Sequence, residues 1–303
     1  MPRRLLRQPK IQVWRVYKRQ EDIIMDAQLK KDLQKFAAQI RVGTVESIAS
    51  RGFGHIGGAL SICDALAVLY GSQMTVDPKN PKMPQRDKLV CSKGHAGPAI
   101  YATLGLKGFF PYEDIKTLNQ PGTRFPSHCD TKLTPGIDMT TGSLGQGAST
   151  SAGMALGDKI KGYNNRVFLF VGDGEINEGQ CWEAFMFAAA KKLSNLVVFV
   201  DNNGKQLDGY TKEIFDTGDL AVKMEAFGFD TVRVDGSDVE ALYEALENTK
   251  KGGDKPFAIV MDTIKGKGVK EVEDTLANHS MAVSTDKFEE WLMQLKADLA
   301  AME

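Results

Sequence analysis

The stretch 165-NRVFLFVGDGEINEGQ-180 decides how the rest of the chain is read. Its apolar run, Val167 to Val171, is rich in β-branched and aromatic residues and stops at Gly-Asp-Gly. A run without polar alternation is expected of a strand buried on both faces of a parallel sheet. In open α/β sheets ligands bind beyond the carboxyl ends of such strands. Asp173 is therefore expected at the mouth of a crevice, between Gly172 and Gly174, where glycine would let the backbone turn sharply. The same letters also read as an ordinary strand-to-helix turn capped by an aspartate.

Outward from this stretch, helices and strands alternate. Residues 88–93, 166–174, 195–203, 230–236 and 256–266 read as buried strands, with helical stretches around 59–70, 95–106, 145–161, 178–192, 217–227 and 238–249. The pattern predicts an α/β fold, a parallel sheet with helices on both faces and right-handed crossovers. With 303 residues, 42% hydrophobic and 25% charged, the composition is that of an ordinary globular chain. A net charge of −1 gives no reason to expect nucleic acid as a partner. No apolar run approaches the roughly 20 residues that cross a bilayer. Cys63, Cys91, Cys129 and Cys181 are scattered, without metal-ligand spacing or a secretory signal, and read as reduced thiols in a cytoplasm.

The first twenty residues hold seven basic side chains and no acidic one. Residues 1–24 are expected to be a non-essential arm ahead of one domain at 25–303. From Met25, the spacing of Leu29, Leu33, Phe36, Ile40 and Ile48 predicts a long helix.

Gly52 to Gly57, GFGHIG, matches a dinucleotide fingerprint by letter. That fingerprint needs a strand before it and an acidic residue about twenty positions on. A helix precedes it here and the acidic residue is absent, so nicotinamide dinucleotide binding is rejected. A better partner for Asp173 is the next strand, which ends in Asp201-Asn202-Asn203. A carboxylate and a carboxamide at neighbouring strand ends suit a hard cation such as Mg²⁺, which shares its shell with water and phosphate oxygens. The following helix N-terminus favours the same anion.

GDGEINEG followed by DNN resembles the thiamine diphosphate motif, and the surroundings resemble transketolase. GFGHIGGALS, SKGHAGPAIYATLGLKGFF, FPSHCD, PGIDMTTGSLGQGASTSAGMALG and KGKGVKEVEDTLANHSM occur in the order of that family's diphosphate-binding half, from Gln28 onward. The resemblance implies that Asp173, Asn203 and the carbonyl of Lys205 hold Mg²⁺ or Ca²⁺. It implies that Gly172 and Gly174 admit the diphosphate, and that Gly142, Ser143 and Leu144 wrap the aminopyrimidine and thiazolium. His95 and His279 are expected at the diphosphate, with His279 also near substrate. His55 and His128 are expected at the substrate oxygens, and Glu178 at a link between two active sites. These four are all the histidines present. Imidazoles suit a reaction that moves protons on and off hydroxyls near neutral pH. Glu175 and Asp201 read as supporting groups.

Single-chain transketolases continue through a pyrimidine-binding domain and a third domain, whereas this chain ends in the amphipathic WLMQLKADLAAME. The expectation is a split enzyme acting on sugar phosphates, with a separate C-terminal subunit, self-association of this one and an α2β2 complex. The alternatives are the matching subunit of another thiamine enzyme (a 2-oxo acid dehydrogenase α chain or a deoxyxylulose phosphate synthase) or a non-catalytic regulatory paralogue.

Overall fold

A computed structural model describes residues 25–302; the expected arm at 1–24 lies outside the described residues. Helix α1 (Ala27–Ala49) opens the fold, capped by Asp26, whose carboxylate accepts from the amides of Gln28 and Leu29 at 2.9 and 3.0 Å. Next come β1 (Phe53–Gly54), α2 (Gly57–Leu60), α3 (Cys63–Val68), β2 (Lys88–Cys91), α4 (Gly97–Leu106), α5 (Gln146–Ile160), β3 (Val167–Gly172), α6 (Gly179–Ala190) and β4 (Leu196–Asn202). The second half adds α7 (Thr211–Ile214), α8 (Leu220–Ala226), β5 (Asp230–Asp235), α9 (Val239–Thr249), β6 (Phe257–Asp262), α10 (Lys270–Asp274), β7 (Met281–Ala282) and α11 (Thr285–Ala300).

Five parallel strands form the main sheet in the order β2-β3-β4-β6-β5. Successive side chains of a strand point to opposite faces. Phe168, Phe170, Phe199 and Ile259 accordingly join one core with α1, α3, α4, α9 and α11, while Leu169, Val171, Val198 and Val260 join another with α5, α6 and α8. Burial on both sides is why β3 is apolar throughout. The rings of Phe170 and Phe199 stack at 4.7 Å, and truncating either to alanine is expected to cost about 3–5 kcal/mol. The register aligns Gly172 with Asp201 and Asn202 with Asp262. Strands β3, β4 and β6 therefore finish level, and the loops that leave them share one edge.

Two expectations are corrected. The strand at 230–236 exists as β5, but it is the half-exposed edge of the sheet rather than a buried strand. The helix expected at 59–70 is broken between α2 and α3 and ends in a π-helical turn, Leu69–Gln73. At the break, the carbonyl of Gly58 accepts from Lys93 Nζ at 2.7 Å and from Ser61 Oγ at 3.1 Å, bonds that compete with continuous helix. The antiparallel pair β1–β7 was not foreseen; strands of two residues carry no periodic signal. No described helix is long and apolar enough to cross a membrane.

Candidate active site

A cavity of about 630 Å³ opens at the carboxyl ends of β3 and β4. His95, His128, Gly142, Leu144, Gly172, Asp173, Gly174, Glu178, Asn203, Lys205 and His279 line it, eleven residues drawn from separated stretches of chain. Two expected residues stand apart from its wall. Ser143 is exposed beside it. The ring of His55 lies behind, 5.6, 5.2 and 5.3 Å from the rings of His95, His128 and His279.

Asp173 follows β3 and is almost wholly buried. Its Oδ1 accepts from the amide of Gly174 at 2.9 Å; Oδ2 accepts from the amide of Gly204 at 2.7 Å and from Thr211 Oγ1 at 3.1 Å. Burial, then the charge of Asp201, pushes its carboxyl up to about 6 despite these bonds. A buried acid so short of positive charge is suited to a cation. Asn203 donates through Nδ2 to Asp201 Oδ2 at 2.8 Å, while its Oδ1 accepts from the amide of Lys205 at 3.1 Å. Carboxylate, carboxamide and backbone carbonyl make an all-oxygen donor set. Among the described residues no group of three His, Cys, Asp or Glu gathers for a metal. Oxygens of this kind are the ligands a hard ion takes, together with water and a ligand's phosphate oxygens.

The two glycines of the GDG turn act through space rather than backbone angle. Gly174 has ordinary right-handed helical angles, contrary to the expected sharp turn, yet a Cβ there would meet Gln206 Cβ at 2.7 Å. At Gly172 a Cβ would make only ordinary contacts, with Lys93 at 3.7 Å and Glu175 at 4.0 Å, so the surface there is left bare.

Two buried lysines, to which no role was attached from sequence, stand at the same edge. Lys93 donates to Asp201 Oδ2 at 2.5 Å and to the carbonyl of Gly58 at 2.7 Å. Burial raises the carboxyl of Asp201, but the charge and hydrogen bond of Lys93, with Thr263 and Ser61, outweigh it and hold the group below its usual range. Lys265, 3% exposed, donates to the carbonyl of Lys205 at 3.0 Å and sits 3.4 Å from His279 Nδ1. Burial and the neighbouring charge of Lys93 bring its ammonium down to about 8. Both lysines line the cavity.

Glu175 accepts from Ser92 Oγ and from the amides of Gly145 and Gly172, at 2.8 and 3.2 Å for the amides. It thus ties the loop 142–145 to the end of β3. Glu178 immediately precedes α6 and is exposed at the cavity rim. The histidines form a cluster of neutral rings. Burial, reinforced by Lys265 at His279 and by His128 at His55, brings His279 and His55 each to about 4. Burial and Lys93 lower His95 further, and burial lowers His128. Their loops are laced through Gly57, whose amide donates to Asn278 O at 3.0 Å and whose carbonyl accepts from Gly266 at 2.9 Å. A Cβ on Gly57 would lie 2.4 Å from Asn278 O, so only glycine permits this approach.

Comparison with known proteins agrees with this geometry. Residues 33–299 match the family model described as transketolase, thiamine diphosphate binding domain. The chain is 48% identical over 267 residues to the 6-deoxy-6-sulfo-D-fructose transketolase subunit SqwG of Clostridium sp. (strain MSTE9), covering 88% of this chain and 97% of that one. It is 35% identical over 266 residues to the A subunit of apulose-4-phosphate transketolase from Actinobacillus succinogenes, covering 88% and 96%. The fold superposes on transketolase from Leishmania mexicana with a TM-score of 0.82 at 31% identity, over 88% of this chain but only 41% of that one. The chain thus spans less than half the length of that solved transketolase. Matched along nearly its whole described length, this chain belongs to the transketolase family, of which it carries the thiamine diphosphate binding domain.

Proposed function

We propose that this chain is the diphosphate-binding subunit of a two-subunit transketolase, which moves a two-carbon ketol unit from a ketose phosphate to an aldose phosphate. The observation that supports this reading is the gathering of Asp173, Asn203 and three neutral imidazoles at one cavity, with the fourth, His55, packed against those three. Asp173, Asn203 and the Lys205 carbonyl would hold Mg²⁺ or Ca²⁺, with Lys93, Lys265, His95, His279, Gly174 and the bare surface at Gly172 around the diphosphate. Gly142, Ser143 and Leu144 would border the aminopyrimidine and thiazolium. When bound, thiamine diphosphate supplies the electron sink for cleaving and forming the carbon–carbon bond. The chain's own work is orientation and proton movement: His55 and His128 hold sugar oxygens, and as neutral rings each can donate or accept at a hydroxyl.

The relatives matched along nearly their full length are named as subunits, which supports a separate partner that closes the cavity. Glu178 at the rim would face a second active site in an α2β2 assembly, and four buried free thiols suit a cytoplasm. The 48% identity to a sulfo-sugar subunit favours a second reading of the donor, a ketose bearing a sulfonate in place of the phosphate. The test mixes this chain with its partner subunit, thiamine diphosphate and Mg²⁺, and assays phosphorylated and sulfonated ketoses in parallel. Transfer is expected from the mixture and from neither chain by itself. Asp173→Ala is expected to abolish both metal and cofactor binding by calorimetry. Turnover by this chain alone, or unchanged cofactor affinity in that variant, would overturn the reading.

A further inference from the structure

Ser127 belongs to neither the cavity wall nor the set of residues expected from sequence, yet its Oγ lies 3.3 Å from Nδ1 of His55. We propose that Ser127 is a positioning residue whose hydroxyl donates to His55 Nδ1 and fixes that ring as its Nε2–H tautomer. His55 then offers a hydrogen-bond donor, not an acceptor, from its second nitrogen.

Ser127 is held from both sides. The buried hydroxyl of Tyr101 shares its proton between the carbonyls of Pro126 and His128, at 2.8 and 3.1 Å, and these two residues flank Ser127. One residue on, the amide of Cys129 donates to Gly94 O at 3.3 Å, and Cys129 O accepts from Thr141 at 3.0 Å. The backbone that aims Ser127 is therefore pinned at three points to α4 and its neighbours. Its hydroxyl has no other partner among the described residues. His55 is uncharged at neutral pH, so its ring carries one proton, and the partner of one nitrogen decides which nitrogen bears it. A serine hydroxyl can give or take a hydrogen bond, but the unprotonated imidazole nitrogen is the stronger acceptor of the two groups. Donation by Ser127 fills the Nδ1 lone pair and leaves the proton on Nε2. Nε2 itself has no hydrogen-bond partner among the described residues, and the ring sits against the three histidines that line the cavity. That a sugar oxygen receives this donor rests on the transketolase reading; the tautomer does not.

The test is a long-range ¹H–¹⁵N spectrum of the full ¹⁵N-labelled chain near neutral pH, which separates protonated from unprotonated ring nitrogens. Only four histidines are present, so His55→Gln identifies the His55 signals by their loss. The expected result is Nε2–H in the native chain, a shift toward mixed tautomers in Ser127→Ala, and recovery in Ser127→Thr. Unchanged signals from the other three rings report that each variant is folded. A native Nδ1–H ring, or a His55 pattern indifferent to Ser127→Ala, overturns the proposal. With partner subunit present, Ser127→Ala is expected to lower kcat roughly tenfold with cofactor affinity unchanged. If the tautomer shifts while kcat does not, the positioning role in catalysis is refuted and the tautomer assignment stands.

Discussion

His55 shows at the scale of one residue how a buried neutral imidazole makes the fold sensitive to acid. An unfolded histidine takes a proton near 6.5, whereas folded His55 does so only near 4 because burial and His128 oppose its charge. Between those values the unfolded chain binds a proton that the folded chain refuses, so stability falls as pH falls through this window. Above 6.5 the residue contributes nothing to the pH dependence. His55→Gln is therefore expected to leave the urea midpoint unchanged at about pH 7.5 and to raise it at about pH 5. An equal effect at both pH values would show that His55 is not held neutral by its surroundings. Asp173 and Asn203 were legible in the sequence because each follows an apolar run that can only be a strand. Lys93, Lys265 and Ser127 were not, since lysine and serine in such loops usually read as surface. Their burial or aim depends on partners far away in sequence: Asp201 for Lys93, the Lys205 carbonyl for Lys265 and His55 for Ser127.

Among the elements, the strand ends carry the site, and they are locked by a charge pair below it. Strands β2, β3, β4 and β6 could be read from sequence because burial on both faces leaves apolar runs. β5 has the same β-branched letters, but nothing in them says that it is an edge strand. Likewise the break between α2 and α3 goes with Lys93 taking the carbonyl of Gly58, a contact no local pattern encodes. Lys93, just beyond β2, spans from there to Asp201 at the end of β4, passing across the end of β3; the two side chains are 2% and 0% exposed. Removing one partner of such a pair leaves an uncompensated charge in the core. Lys93→Met is expected to destabilise the chain by about 3–5 kcal/mol in urea unfolding, with part of the loss restored by adding Asp201→Asn. A loss below about 1 kcal/mol would mean that Asp201 is adequately satisfied by Ser61, Thr263 and Asn203 alone.

For the whole molecule, the face of α5 and α6 that points away from the sheet is where self-association is expected. Their inner sides are spent on the second core, through Ala148, Ala152 and Ala155 from one helix and Cys181, Ala184, Phe185 and Ala188 from the other. The outer side holds Gly153, Gly157 and Gly179, where an added Cβ would meet nothing within 4 Å, beside Met186 and Phe187, 54% and 39% exposed. Small residues flanking two large apolar side chains allow close approach of another helix, and covering Met186 and Phe187 would contribute about 1.5–3 kcal/mol each at most. Glu178 stands at the start of α6 on the cavity rim, so a second copy docked on this face would bring the two sites near one another. The chain is accordingly expected to sediment as a dimer at micromolar concentration. Met186→Asp combined with Phe187→Asp should raise the dimer dissociation constant at least about 100-fold, while circular dichroism and the urea midpoint stay close to native. Neither side chain lies in the cavity wall, so lost ketol transfer by this variant, with partner subunit present, would tie activity to the assembly itself. A native chain that sediments as a monomer, or a double variant that remains a dimer, would move the interface to another face of the molecule.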